Sequence, residues 1–496
     1  MSSLKQKTFS GVKWQVINKV AQKVISILTF GVLARILTPS IFGLFALGFV
    51  AIDGFHVFKT FGLDTALIRR KGDIDEAADT AYVVVQAMGV VLFGICFVIA
   101  PFAAQFFHNP NLVMVIRVLA LIFVLNTFSK IPSTLLTKQM RFDVLSVIDL
   151  IGSIINSACA IAFALISPTV WCLVWAYLIK QTVITVLSWY FSGFRFKWRF
   201  NFKIAKELFN FGKFMLGLSI LWYIGGNIDN IVVGRILGAA LLGYYALASN
   251  IGDFINTHFI YVLESVMFPA YSSIQHDREE VTRVYLKTTK FVSFVSMPFS
   301  IALVFLSKEI VAAFYGVKWL SIVPLIQILG SVQFVAPILI CSGSVFLASG
   351  KPQYNYRITL CSLLAKIPCL IFFTHWWGLL GAVCVDVVTL FVTAPINVML
   401  VRKLTTFRFR NFLVQFLPSL CCSLIMLVAI QAVKVILYYH PLSDFAHNSL
   451  TLLTLCLAGV VSYVSAIFFI DRDSLKEGVK LILKLEKPKV PASVGA

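Results

Sequence analysis

The chain has 496 residues, 59% of them hydrophobic and 13% charged, with a mean hydropathy of +0.90. Soluble domains carry about a quarter charged residues, so a water-soluble globular fold is excluded. Lys and Arg number 42 against 22 Asp and Glu, a net charge of +20, but most of this excess lies in short loops between apolar runs, which argues against nucleic acid as the partner.

Apolar runs of about 20 residues recur from end to end, each able to cross roughly 30 Å of hydrocarbon. They predict about fourteen membrane helices: 12–37, 41–60, 79–107, 112–131, 144–166, 169–193, 207–236, 240–266, 287–313, 320–348, 355–375, 378–402, 412–438 and 448–470. The basic start, MSSLKQKTFSGVKW, lacks the short apolar core and small-residue site of a cleaved signal. The ten cysteines sit in apolar runs, with no metal-ligand spacing among them.

The loops alternate in charge. The N-terminus holds Lys5, Lys7 and Lys13, the second loop Arg69, Arg70 and Lys71, and the fourth Lys138 and Arg141. The sixth, eighth, tenth and twelfth loops and the tail after Asp471 are basic as well, whereas the odd loops hold little beyond Lys308 and Lys318. By the positive-inside rule both termini are expected in the cytoplasm.

A long internal repeat organises the chain. VLARILTPSIFGLFAL at 32–47 recurs 200 positions on as VVGRILGAALLGYYAL at 232–247. Arg35 falls on Arg235, Gly43 on Gly243 and Asp53 on Asp253. So long a period marks a duplicated half-fold and not a solenoid module. The expected architecture is all-α and polytopic: a six-helix bundle over 1–194, a linker over 195–206, a second six-helix bundle over 207–403, two additional helices over 404–471, and a basic tail over 472–496. The linker, RFKWRFNFKIAK, reads as a basic, aromatic-laced amphipathic segment lying on the anionic inner leaflet. Parallel repeats of this kind place a site between the halves, as in transporters.

Ionisable residues inside spans are costly in lipid and mark cavities or helix contacts. In the first span Gln15, Lys19, Gln22, Lys23 and Ser26 share one face. Lys19 and Lys23 either line a cavity or snorkel to headgroups. The second span places Asp53, His56 and Thr60 on one face with Lys59 beside it, and the eighth places Asn250, Asp253, Thr257 and Glu264. Asp53 and Asp253 are ion-coupling candidates or helix-joining hydrogen-bond acceptors. The seventh span carries Lys213 near its start and Asn227, Asp229 and Asn230 behind Gly225 and Gly226; Asp229 either pairs differently in two conformations or is a static partner of Arg235 or a lysine. Arg117, Lys180, Lys366 and Lys434 are further cations within spans. Lys19, Gln22, Lys23, Lys59, Arg117, Lys213 and Asn227 form the candidate cavity set, and its cationic bias suits an anionic substrate.

No GxxxxGK[ST] motif, nucleophile–base set or metal-spaced His/Cys group occurs in the sequence. An enzyme, a metal and a cofactor are therefore not expected, and the short odd loops oppose a membrane glycan polymerase or ligase.

LARIL followed by FGLFAL, then FGLDTALIRRK, NIDNIVVGRILGAALLGYYALASN, FPAYSSIQ, YGVKW and LASGKPQYN occur in this order. Together they resemble the polysaccharide transport family, the Wzx-type flippases of the multidrug/oligosaccharidyl-lipid/polysaccharide (MOP) superfamily, with most likeness to colanic-acid-type exporters. The resemblance implies a V-shaped pair of six-helix lobes around a cationic cavity. It implies a substrate too: an undecaprenyl-pyrophosphate-linked oligosaccharide, moved across the inner membrane for exopolysaccharide, capsule or O-antigen synthesis, with polymerase and chain-length machinery as partners. Coupling to H+ or Na+ is known in the superfamily, and Asp53, Asp229 and Asp253 are the positions it would use. The alternative is a small-molecule antiporter of the drug–cation branch, whose cavity should be acidic. Arg35 and Arg235 lie near the outer ends of their spans, where they read as headgroup anchors or helix-end carbonyl partners, with a role in substrate release as the alternative.

Overall fold

The computed structural model describes residues 2–56, 67–68, 74–253, 267–268, 270–406, 409–438 and 445–472. Lys59, the basic loop at 69–71, Thr257, Glu264 and the tail beyond Arg472 lie outside them. Every regular element among the described residues is helical, as lipid requires when it offers the backbone no hydrogen bonds. In chain order the helices are α1 (Ser2–Ile36), α2 (Pro39–His56), α3 (Ile74–Phe106), α4 (Leu112–Leu119), α5 (Leu121–Lys138), α6 (Phe142–Ile166), α7 (Val170–Ser192), α8 (Phe202–Gly252), α9 (Arg278–Ile310), α10 (Val323–Val332), α11 (Ala336–Ala348), α12 (Pro352–Leu404), α13 (Phe409–Tyr438) and α14 (Phe445–Ile470). Among the described residues, nine helices are long and apolar enough to cross a membrane, and two shorter apolar helices, Pro39–Phe55 and Val317–Val332, accompany them. The chain is a multi-pass membrane protein.

Two of the long helices are bent pairs. The 53 residues of α12 would run about 80 Å if straight, far beyond roughly 30 Å of hydrocarbon. They fold at Gly378 (φ 60°, ψ −139°), between the predicted spans 355–375 and 378–402. Likewise α8 turns at Gly238 (φ 83°, ψ 176°), a conformation essentially confined to glycine. The break between α1 and α2 falls at 37–38, the same place in the repeat. One expected span is interrupted: 320–348 consists of a 3-10 turn at Val317–Ile322, α10 and α11. Pro337 lies in the first turn of α11, where it lacks an N–H and disfavours helical backbone before it.

The described chain divides into two compact units. The first comprises Met1–Leu247, Phe314–Gly316 and Cys369–Ala382. In it α1 lies along α6, α6 along α7, and α5 packs against both α3 and α7. Hydrophobic burial contributes little between helices already in lipid, so small residues and buried polar bonds carry much of the association. Thr127 Oγ1 donates to Gln86 Oε1 at 3.1 Å, Gln181 Nε2 to Ser129 Oγ at 3.3 Å, and Trp189 Nε1 to the Phe128 carbonyl at 2.9 Å.

The repeated segments meet within this unit. A Cβ added to Gly43 would lie 1.6 Å from the Ala239 carbonyl oxygen, and one added to Gly243 would lie 1.9 Å from that of Pro39. Each glycine thus receives the first turn of the other copy's hairpin, an approach that no side chain permits.

The linker leaves α7 at Gly193, whose backbone is left-handed (φ 62°), and runs to 201 without regular secondary structure. Phe194 and Phe196 turn inward onto Tyr82, while Arg195, Lys197 and Arg199 are exposed. This is the period of two expected of a half-buried extended segment. Buried Asp79 accepts the backbone N–H of Lys197 at 3.1 Å, and Glu76 accepts Asn201 Nδ2 at 3.0 Å. The linker is therefore strapped to the first turns of α3.

The second unit comprises Ala248–Ala313, Val317–Pro368 and Val383–Ala496. Its axis is α9, whose Thr282, Thr289, Ser293, Ser296, Ser300 and Ser307 are all buried. Their spacing of three, four or seven puts them on one face, where small side chains let neighbours approach. The helices beyond the repeat dock here: Ser419 donates to the Ser293 carbonyl at 2.7 Å, Tyr463 to that of Phe294 at 2.7 Å, and Lys434 pairs with Glu309 at 2.8 Å. Lys366 pairs with Asp386 at 2.9 Å across the α12 hairpin.

Two outcomes test this packing. Gly43→Ala should destabilise the purified protein by about 1–3 kcal/mol, read as a lower melting temperature, because the crossing backbones must part. Gly94→Ala, with nothing near its position, should leave the melting temperature unchanged or raised. Asp79→Ala should speed tryptic cleavage at Arg195, Lys197 and Arg199, while Asp79→Asn, which keeps an acceptor oxygen, should retain most of the protection.

Candidate functional site

The repeated carboxylates each receive an amide hydrogen bond from another helix. In the first unit Asp53, on α2, is exposed on an otherwise strongly apolar helix. Asn227 Nδ2, on α8, donates to Asp53 Oδ2 at 3.1 Å. One turn earlier, Tyr223 donates its hydroxyl to the Val50 carbonyl at 2.9 Å. The two contacts pin α2 to α8. Beside Asp53 is a small recess lined by Phe49, Ile52, Asp53, Leu119, Ile122 and Tyr177, in which Phe49 and Tyr177 meet edge to face at 4.7 Å.

In the second unit Asp253, at the end of α8, accepts Gln333 Nε2 at 3.3 Å. Gln333 occupies the break between α10 and α11 and is 1% exposed. Neither amide donor could be assigned to its acid from spacing alone, although Tyr223 and Asn227 share a helix face and Pro337 marks the break near Gln333. Helix breaks of this kind free backbone groups for ion or substrate contacts in transporters.

On α1, Lys19 is exposed and Gln22 and Lys23 are half-buried. Gln22 Nε2 donates to Asn18 Oδ1 at 3.1 Å, and Asn18 is itself buried, so the polar face includes a residue not singled out in the sequence. Arg117, half-buried on α4, places its guanidinium 4.2 Å over the Phe97 ring, a cation–π contact that partly satisfies its charge. Asp229 is half-buried on α8. The backbone of Lys213 is helical, and its side chain lies outside the described part, as does Lys59 altogether.

The repeated arginines are exposed and turn to loops distant in sequence. Arg35 Nε donates to the Phe314 carbonyl at 3.3 Å. Arg235 Nη1 lies 2.8 Å from His108 Nε2, and its guanidinium is 5.1 Å over the Phe106 ring. Asp53 and Asn227 are thus the candidate pair that the fold brings together, Lys19, Gln22 and Lys23 form a second group on α1, and Asp253 stands with Gln333.

The sequence and the fold both have known counterparts. Over 365 residues the chain is 29% identical to the teichuronic acid biosynthesis protein TuaB of Bacillus subtilis, covering 72% of this chain and 74% of that one. Over 381 residues it is 27% identical to the lipopolysaccharide biosynthesis protein WzxC of Escherichia coli, covering 76% and 77%. Its fold is similar to that of the lipid II flippase MurJ in an inward closed conformation, with a TM-score of 0.73 at 17% identity, covering 92% of this chain and 99% of that one. The model of the polysaccharide biosynthesis protein family matches residues 32–324, more than half of the sequence, and the chain belongs to that family.

Proposed function

We propose that the protein is a flippase that moves a lipid-linked, anionic oligosaccharide unit from the cytoplasmic to the outer leaflet of a bacterial inner membrane, for assembly of a surface polysaccharide. The observation that carries the reading is a polytopic helical fold of this family whose first helix bears Lys19 and Lys23 on one polar face. A pyrophosphate-linked glycan presents the charge such lysines would meet. The family match and the names of the relatives support the substrate class, and the alternation of basic loops supports cytoplasmic termini. Asp53 with Asn227, and Asp253 with Gln333, are the places where H+ or Na+ could couple to the cycle. Polymerase and chain-length proteins would be the downstream partners.

Deletion of the gene should leave lipid-linked repeat units facing the cytoplasm and deplete surface glycan; normal glycan with altered drug susceptibility would instead identify a small-molecule exporter. Lys23→Glu should reduce surface glycan roughly tenfold or more without loss of protein from the membrane, because the anionic headgroup would meet a like charge. Normal export by that variant would remove Lys23 from the path. In proteoliposomes, transport by the wild type should respond to an imposed proton or sodium gradient, and Asp53→Asn should abolish that response while leaving the unstimulated rate; an unchanged response would remove Asp53 from coupling.

A further inference from the structure

The contacts of the repeated arginines are reciprocal. Arg35 belongs to the first copy of the repeat, and its partner carbonyl, Phe314, lies in the π-turn Val311–Tyr315 that ends the second copy's third helix. Arg235 belongs to the second copy, and its partners His108 and Phe106 lie at the end of α3, the first copy's third helix. The neighbouring packing follows the same plan. A Cβ on Gly31, one turn before Arg35, would stand 3.2 Å from the Phe314 oxygen, and one on Gly234, beside Arg235, would stand 3.4 Å from the Phe107 ring. Gly43 and Gly243, a few residues on from the arginines in each copy, interlock. All of these residues fall in one compact unit.

We propose that Arg35 and Arg235 form a reciprocal latch, in which each copy's arginine grips the end of the other copy's third helix and so closes the crossing of the two hairpins. Charge is part of the device. The last carbonyls of a helix lack internal partners and carry its negative end, so a guanidinium is well suited to bind Phe314. The ring of His108 offers a nitrogen acceptor, and Phe106 a π-face, to the other. Both arginines are exposed, so each grip is worth only a modest amount and can be released without burying an unpaired charge. The glycine contact supplies shape, and the arginines supply a releasable tie. If the chain is the flippase proposed above, this end parts when cargo leaves, but the latch itself is a property of the fold and is tested without cargo.

Amide hydrogen exchange on the full-length protein in nanodiscs reads each grip separately. Arg235→Ala should speed exchange over 106–112 roughly tenfold, the loss of one charged hydrogen bond, and leave 311–317 unchanged. Arg35→Ala should do the converse. His108→Ala should reproduce the first effect and add nothing when combined with Arg235→Ala. Arg235→Lys and Arg35→Lys, which keep the charge without the planar fork, should give intermediate effects and serve where an alanine variant does not fold. Exchange that rises only around the substituted residue's own hairpin, at 35–43 or 235–243, or that does not rise at all, overturns the latch. A glycan export defect without the crossed exchange pattern would support transport and reject the latch; the crossed pattern with normal export would do the reverse.

Discussion

Lipid gives a helix no hydrogen-bonding partners and little hydrophobic reason to pack against its neighbour. Almost every feature of this protein that is not simply an apolar helix answers that constraint. Where two backbones must touch, glycine stands, as at Gly43 against Ala239 and Gly243 against Pro39. Where two helices must stay together, a hydroxyl or amide spans them, as in the Ser300 bond to the Gly330 carbonyl and the Gln86–Thr127 and Gln181–Ser129 contacts. Beside its buried apolar clusters, the protein also exposes many large aliphatic and aromatic side chains.

The same constraint gives the intramembrane polar residues their meaning. A carboxylate in a span is retained only with a partner or with access to water. Asp53 and Asp253 each have an amide donor from a segment distant in the chain, so each is a structural tie. The cations on α1 form a different class: Lys19 is exposed and Lys23 half-buried on its polar face.

The duplication also has a physical consequence beyond ancestry. Two parallel copies bring equivalent segments face to face, and Gly43 and Gly243 interlock because neither has a Cβ. Once those hairpins cross, the arginines a turn or two away are carried to the opposite copy's loops. The appended helices α13 and α14 have no counterpart in the repeat and are held instead by side-chain bonds to α9 backbone carbonyls.

How much was legible in the sequence divides along the range of the interactions. Hydropathy, loop charge and the 200-residue repeat are local or periodic properties, and they determined the all-helical membrane fold, the hairpin turns at 37–38 and Gly238 and the bend near Gly378. The equivalence of Asp53 and Asp253 was visible for the same reason. What a side chain touches is decided by helices far apart in the chain, and only the tertiary structure supplied it: Asn227 on Asp53, Gln333 on Asp253, Arg35 on Phe314 and Arg235 on His108. The interruption at 333–335 and the irregular strap at 193–201 were obscured by composition, because apolar residues continue through the first and basic aromatic residues fit a helix as well as a strap in the second. Sequence fixes which residues can enter lipid. Packing decides which polar groups meet, because each must find its partner among helices that the sequence does not place side by side.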